Sequence, residues 1–387
     1  MPVRSKDNFL VFGAPRIEQD EIDEVVASMK TGWLGTGPKV ARFEADFAAY
    51  VGGRHAAACN SCTAALHLSL VALGLKPGDE VITTPLTFCA SVNAIIHAGC
   101  TPVLADVDPV TQNIDPDRIR EKITDRTRAI LPVHFAGRPC DMDGIMALAD
   151  EFGLKVVEDC AHAIETTYKG RHAGTFGDFG CFSFYVTKNV CTGEGGMIIA
   201  HDEADIKNVK ILGLHGMSAD AWKRFSDEGY KHYAVVHAGF KYNMMDIQAA
   251  IGIHQLKRVE DYFVRRCEIW DTYQEAFKDM AVGTPAPEEP GTRHARHLYT
   301  LMVDPVYSGI DRDQLLMRLT KEGIGAGVHY LAVPEHPYYQ ERFGWKLEDT
   351  PHAVALGRQT ISLPLSAKLT DEDVADVIKA VKLSLED

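Results

Sequence analysis

Residues 77–106 read PGDEVITTPLTFCASVNAIIHAGCTPVLAD. The turn formers Pro77-Gly78-Asp79 lead into the β-rich run Val81-Ile82-Thr83-Thr84. Residues 90–98 read as a helix, and Pro102-Val103-Leu104-Ala105-Asp106 returns to strand. The rhythm continues with a helix over 115–123, a strand from Arg128 to Val133, a helix over 141–152 and a strand from Leu154 to Glu158. Alternation of this kind specifies a mostly parallel sheet covered by helices on both faces. Ligands of such α/β folds sit beyond the carboxyl ends of the strands. The residues to read for chemistry are those just after each strand.

Outward from this block, residues 18–30 predict a helix, followed by the Gly-rich turn Gly32-Trp33-Leu34-Gly35-Thr36-Gly37-Pro38. On the other side, residues 246–277 read as one long helix, and the Pro-rich stretch 284–291 as a linker. A strand (298–303), a helix (312–321), a strand near 325–330 and a terminal helix (370–385) complete a smaller α/β unit. The expected division is an N-terminal arm and large domain over 1–255, then a linking helix and small C-terminal domain over 256–387.

Composition narrows the function. The 387 residues are 46% apolar and 24% charged, ordinary globular usage that excludes a disordered or fibrous chain. A formal charge of −14 repels phosphate backbones and anionic membranes, so neither nucleic acid nor membrane is an expected partner. A small substrate is. The nine cysteines read as reduced thiols, the start lacks the apolar core of a signal peptide, and no apolar run approaches the ~20 residues that span a bilayer. The expected location is the cytoplasm.

The chemistry concentrates between Val156 and Met197. This stretch holds Glu158-Asp159-Cys160-Ala161-His162, Ser183-Phe184-Tyr185-Val186-Thr187-Lys188-Asn189 and Gly193-Glu194-Gly195-Gly196. Asp159 ends a predicted strand and Lys188 follows another. A lysine amine and a carboxylate at neighbouring strand ends suit pyridoxal phosphate: the amine condenses with the aldehyde, and the carboxylate keeps the pyridine nitrogen protonated. Singly, each residue is more often a turn former, a cap or a solvated charge. Their joint spacing changes that balance.

These segments, in this order, resemble the DegT/DnrJ/EryC1/StrS family of sugar aminotransferases, over about residues 10–382. The resemblance implies the fold type I architecture of pyridoxal phosphate enzymes, with Lys188 as the Schiff-base lysine and Asp159 the partner of the pyridine nitrogen. It implies that His162, often Gln in the family, contacts the cofactor's phenolic oxygen. Ser183 would donate to its phosphate. Asn60-Ser61-Cys62-Thr63 opens an apolar helix whose unpaired N–H groups suit a phosphate. The family usually has Gly-Thr where this chain has Cys62-Thr63. Phe88 matches an aromatic that stacks on the pyridine ring. Asn243 matches an Asn that reaches the phosphate of the neighbouring subunit, which implies a homodimer with shared sites.

The resemblance also places Trp33, Tyr185, His215, Lys241, His329 and Tyr330 near the substrate. The stretch from His215 to Trp222, followed by Gly239 to Asn243, is similar to a subgroup that includes the UDP-4-amino-4-deoxy-L-arabinose aminotransferases. The implied reaction moves an amino group, with L-glutamate as donor, to the C4 keto group of a nucleotide-linked sugar. Rivals of the same fold are a sugar dehydratase, against which Lys188 argues, and an amino-acid aminotransferase. A cofactor-bound regulator without turnover is a rival of another class. No metal is expected: HExxH is absent, and His294 and His297, three apart in the approach to a strand, fall on different faces.

Overall fold

The computed structural model describes residues 2–218 and 233–386. Seven strands form the central sheet: β1 (His55–Cys59), β2 (Glu80–Thr83), β3 (Thr101–Leu104), β4 (Thr127–Leu131), β5 (Lys155–Asp159), β6 (Phe179–Ser183) and β7 (Gly196–Ala200). Their order across the sheet is β1-β7-β6-β5-β4-β2-β3. The five strands from β6 to β3 pair in parallel, while β7 runs antiparallel to both β6 and β1. Flanked by a reversed strand, β1 therefore points the same way as β6. The carboxyl ends of β1, β2, β5 and β6 arrive at one edge, bringing Cys59, Thr83, Asp159 and Ser183 to it.

Helices cover both faces, as the alternation predicts. α1 (Gln19–Thr31) and α2 (Pro38–Val51) precede the sheet; α3 (Cys62–Ala72), α4 (Cys89–His97), α5 (Pro116–Lys122), α6 (Met142–Phe152) and α7 (Glu203–Leu212) lie between or after its strands. α3 is buried from Ala64 to Leu70, with Leu66, Leu68 and Leu70 fully buried, because it sits between the sheet and α4 and α7. Burying each such leucine contributes about 1.5–3 kcal/mol, which fixes the start of α3 against the sheet edge.

Two expectations are corrected. Residues 246–277 form two helices, α8 (Asp246–Lys257) and α9 (Val259–Phe277), broken at Arg258, whose φ and ψ are −102° and 3°. The halves serve different cores. Ala249, Ile253 and Leu256 of α8 pack with Phe43 and Phe47 of α2. Ile269, Tyr273 and Phe277 of α9 pack with Tyr299, Leu315 and Val377. Those belong to the C-terminal elements β8 (Tyr299–Met302), α10 (Arg312–Lys321), β9 (Thr360–Leu363) and α11 (Asp371–Glu386). At the break, the Arg258 guanidinium pairs with Asp20 and Glu21 of α1. The predicted strand near 325–330 is likewise absent. Gly325 bonds to Leu10, Gly327 makes an isolated bridge to Ser362, and the chain then crosses toward the sheet edge. Of the stretch that resembles the subgroup, Ala219 to Trp222 lie outside the described residues. Among the described residues, no helix is long and apolar enough to cross a membrane.

One glycine fixes how closely α3 approaches the sheet. A Cβ on Gly196, at the start of β7, would lie 2.5 Å from the carbonyl carbon and oxygen of Ser61 and 2.7 Å from the Cys62 nitrogen. All three are backbone atoms that cannot swing aside. Gly196→Ala should lower unfolding stability by about 1–3 kcal/mol, read from denaturant midpoints, and should weaken anion binding at the start of α3. A variant of unchanged midpoint would show that α3 is free to shift.

Candidate active site

The sheet edge opens into a cavity of about 510 Å3. Cys62, Thr63, Phe88, Asp159, His162, Ser183, Tyr185, Lys188, His329 and Tyr330 all line it. Ten of the residues singled out in the sequence thus converge from five separate segments. The remaining four do not enter this chain's cavity. Asn243 bonds through Nδ2 to Thr36 Oγ1 at 2.7 Å, and Trp33 bonds through Nε1 to Thr36 O at 3.1 Å. Both line a second cavity of about 490 Å3 beside β1 and α2. His215 and Lys241 are exposed beside that cavity, on segments joined by the bridge between Leu214 and Lys241.

Asp159 ends β5, and its carboxylate is buried. Oδ2 accepts from Ser91 Oγ at 2.8 Å and Oδ1 from Ala161 N at 3.0 Å. Burial pushes its pKa up; these two bonds and the nearby Lys188 pull the other way. Its remaining lone pairs suit a protonated ring nitrogen. Lys188 follows β6 on the cavity wall, and burial draws its pKa down to about 8, with Cys62 and Asp159 opposing. An amine of that pKa has a substantial neutral, nucleophilic fraction near pH 7–8.

His162 is locked as one tautomer. Nδ1 accepts from Ala136 N at 3.2 Å, so Nε2 carries the hydrogen and donates to the Tyr330 hydroxyl 3.1 Å away. Burial, then Lys188, holds its pKa well below the usual value. Burial raises the pKa of Tyr330. The pair therefore presents neutral hydrogen-bonding groups, and both residues line the cavity. Burial also lowers the pKa of His329 to about 3, and its Nδ1 pairs with Ser362 Oγ at 2.9 Å.

At the opposite side α3 begins. Ser61 caps it, accepting from Ala64 N at 3.1 Å, which leaves the Cys62 and Thr63 N–H groups without partners inside the helix. The Cys62 side chain is buried and its Sγ lies 3.7 Å from Cys181 O. It turns toward β6. Cys59-Asn60-Ser61-Cys62 has C-x-x-C spacing, yet both thiols are free and buried, and burial raises both pKa values. That excludes the low-pKa thiol a redox pair needs. Ser183 Oγ, at the end of β6, accepts from Tyr185 N at 3.3 Å. Phe88 caps α4 with its ring exposed at the cavity mouth, 5.9 Å from that of Tyr330.

Several residues of the site have no signal in the sequence. Ser91, which orients Asp159, is one of many serines, and its hydroxyl lies 2.9 Å from that of Thr87. Glu158, adjacent to Asp159, faces away from the cavity; it accepts from Gly174 N, Phe176 N and Gly177 N at 2.7–2.8 Å and from His134 Nε2 at 3.1 Å. Among the described residues, His134, Glu158 and Cys160 are the one grouping with metal-ligand spacing. Those bonds already occupy the Glu158 oxygens, and His134 Nδ1 accepts from Cys140 N.

The donor set fits pyridoxal phosphate: a carboxylate for the ring nitrogen, a lysine of lowered pKa, an aromatic ring, and a helix start with hydroxyls for the phosphate. Comparison with known proteins agrees. Residues 15–382 match the model of the DegT/DnrJ/EryC1/StrS aminotransferase family, and the chain belongs to it. The spore coat polysaccharide biosynthesis protein SpsC of Bacillus subtilis is 50% identical over 382 residues, 98% of each chain. A putative sugar aminotransferase of Streptococcus pneumoniae, solved in its PMP form, superposes with a TM-score of 0.90 at 34% identity, covering 97% of this chain and 99% of that one. The aminotransferase PseC of Helicobacter pylori, involved in pseudoaminic acid biosynthesis, gives 0.90 at 27% identity over 98% of this chain and 100% of its own. The protein is a pyridoxal-phosphate-dependent aminotransferase of fold type I.

The lysine makes a measurable demand on the fold. Its pKa of about 8 lies below the ordinary 10.5. Between those pH values the unfolded chain binds a proton that the folded, cofactor-free chain does not, so stability rises with pH across that window. Lys188→Met should stabilise the cofactor-free protein at pH 7, and the gain should shrink as pH rises from 8 to 10.5. A gain independent of pH over that range would contradict the assigned burial.

Proposed function

We propose that this enzyme transfers the amino group of L-glutamate to the C4 keto group of a nucleotide-linked sugar used in polysaccharide biosynthesis. The observation that carries the reading is the convergence of Asp159, Lys188, His162 and the start of α3 on one cavity. The relatives support the substrate class. SpsC is named for spore coat polysaccharide biosynthesis, and DesI, 30% identical with a TM-score of 0.88, was solved with its TDP-sugar product. The C4 position rests on the resemblance of the segments around His215 and Lys241, and the donor on the resemblance to the family as a whole.

In this reading pyridoxal phosphate supplies the electron sink that stabilises negative charge at the substrate carbon. Lys188 would hold it through its amine and would move a proton at the substrate carbon. Asp159, oriented by Ser91, keeps the ring nitrogen protonated. The His162 ring and the Tyr330 hydroxyl bonded to it would meet the cofactor's phenolic oxygen. Backbone N–H groups of Cys62 and Thr63, with the hydroxyls of Thr63 and Ser183, receive the phosphate. Phe88 would stack on the ring, and Tyr185 and His329, which line the same cavity, would meet the substrate.

The site is completed by a second copy of the chain. Lys188 is the one lysine or arginine among the described lining residues, which leaves a phosphate and a diphosphate short of positive partners. Asn243, Lys241, Trp33 and His215 lie off the cavity, around a second opening whose surroundings expose Trp33, Leu34 and Met245. In an isologous dimer these residues reach the partner's cavity. The nine free thiols agree with a reducing cytoplasm.

Three measurements test this. Asp159→Asn should slow the glutamate half reaction by at least about 10²-fold with little loss of cofactor; near-normal turnover would mean that another group holds the nitrogen. Mixing Lys188→Ala and Asn243→Ala chains, each inactive alone, should restore activity because one hybrid site is intact. No recovery in demonstrably mixed dimers contradicts sharing. Glutamate-loaded enzyme offered 4-keto and 3-keto nucleotide sugars should regain its original visible absorbance with a 4-keto sugar. Recovery only with amino-acid-derived keto acids would make it an amino-acid aminotransferase.

A further inference from the structure

Asn189, the residue after Lys188, is held at both ends of its amide. Nδ2 donates to Glu165 Oε2 at 2.8 Å and to Ala295 O at 3.2 Å. Two acceptors on one side fix the amide, so Oδ1 faces His297 Nδ1, 3.0 Å away, and accepts from it. His297 is therefore the Nδ1–H tautomer, opposite to His162. Behind Asn189, Glu165 pairs with Arg266, and both are buried.

The same imidazole meets the other side of the cavity. The His297 ring centroid lies 4.5 Å from that of His162. One loop residue ties the two: Ala136 N donates to His162 Nδ1, while Ala136 O accepts from His297 N at 3.1 Å. Ala136 sits at φ 56°, and Ala295 N bonds to the adjoining Gly137 O at 2.9 Å. Burial, aided by Lys188, keeps both imidazoles neutral. An additional buried charge beside the lysine is thereby avoided.

We propose that His297 is a positioning residue: through Asn189 it fixes the loop that carries Lys188, and through its ring it braces His162 and hence the Tyr330 hydroxyl. The network begins at the Arg266–Glu165 ion pair and ends on groups of the reactive cavity. It gives a role to a histidine that spacing alone relegates to the approach to a strand. The inference rests on Lys188 holding the cofactor.

The test compares cofactor-loaded His297→Leu and His297→Asn enzymes. Leucine fills space without a donor, whereas an asparagine N–H can restore the bond to Asn189 Oδ1. The readouts are the visible circular dichroism of the bound cofactor, the single-turnover rate with glutamate, glutamate affinity and the unfolding midpoint. His297→Leu should lose most of the circular dichroism per bound cofactor. Its rate should fall about 10-fold to 10²-fold, the scale of a misplaced reacting group, with glutamate affinity within about threefold. His297→Asn should recover most of both. Wild-type dichroism and rate in His297→Leu would overturn the proposal. So would equal losses in the two variants at an unchanged unfolding midpoint. If His297→Leu does not fold, His297→Gln, whose amide is set one carbon further out, takes its place with the same outcomes. Failure of the unsubstituted enzyme to hold cofactor at Lys188 would strike the cofactor reading instead.

Discussion

A carboxylate buried at the end of a central strand constrains everything around it. Asp159 has left water, and an uncompensated charge there costs several kcal/mol. Two hydrogen bonds, from Ser91 and Ala161, and the neighbouring Lys188 offset part of that. In the proposed function, a protonated ring nitrogen would complete the compensation. Lys188 is under the complementary strain, its charged form disfavoured by the same burial. Burial opposes the charged form of each group, and a cofactor that accepts a covalent bond at one end and keeps a proton at the other would relieve both.

The sheet makes this pairing possible. β5 and β6 are parallel neighbours, so Asp159 and Ser183 leave the sheet at the same edge, and the loop after β6 returns Lys188 across the opening. Reversal of β7 turns β1 to match, which delivers the start of α3 to that edge as well. Gly196 then allows the α3 backbone to close on β7. The positive end of a helix, a hydroxyl, a carboxylate and a lysine meet although 126 positions separate Cys62 from Lys188 (188 − 62). Electrostatics that an acidic surface would forbid outside are set locally by backbone dipoles inside.

Much of this was legible in the sequence because it depends on periodicity. Strands β2 to β5 and the helices between them announce themselves by alternation, and Asp159 and Lys188 stand where α/β folds keep their ligands. What stayed hidden depends on contacts between distant segments. The break at Arg258 has no proline or glycine to mark it; it arises where α8 and α9 enter different cores and Arg258 turns to α1. The residues from Gly325 to Tyr330 look like a strand but lack a ladder to join. Ser91, Asn189 and His297 are ordinary in composition and acquire their meaning only from the partners the fold brings. Cys62 shows the converse: its place at the start of α3 is plain in the sequence, and only the fold shows its side chain turned toward β6.

The central claim is that Lys188 is the covalent anchor of the cofactor in a cavity closed by Asp159. Borohydride reduction of the loaded enzyme, followed by digestion and mass mapping, measures this directly. The account predicts that the pyridoxal phosphate mass appears on the peptide containing Lys188, and that Lys188→Ala, still folded, yields none. Label on any other lysine, or undiminished labelling in Lys188→Ala, would contradict it.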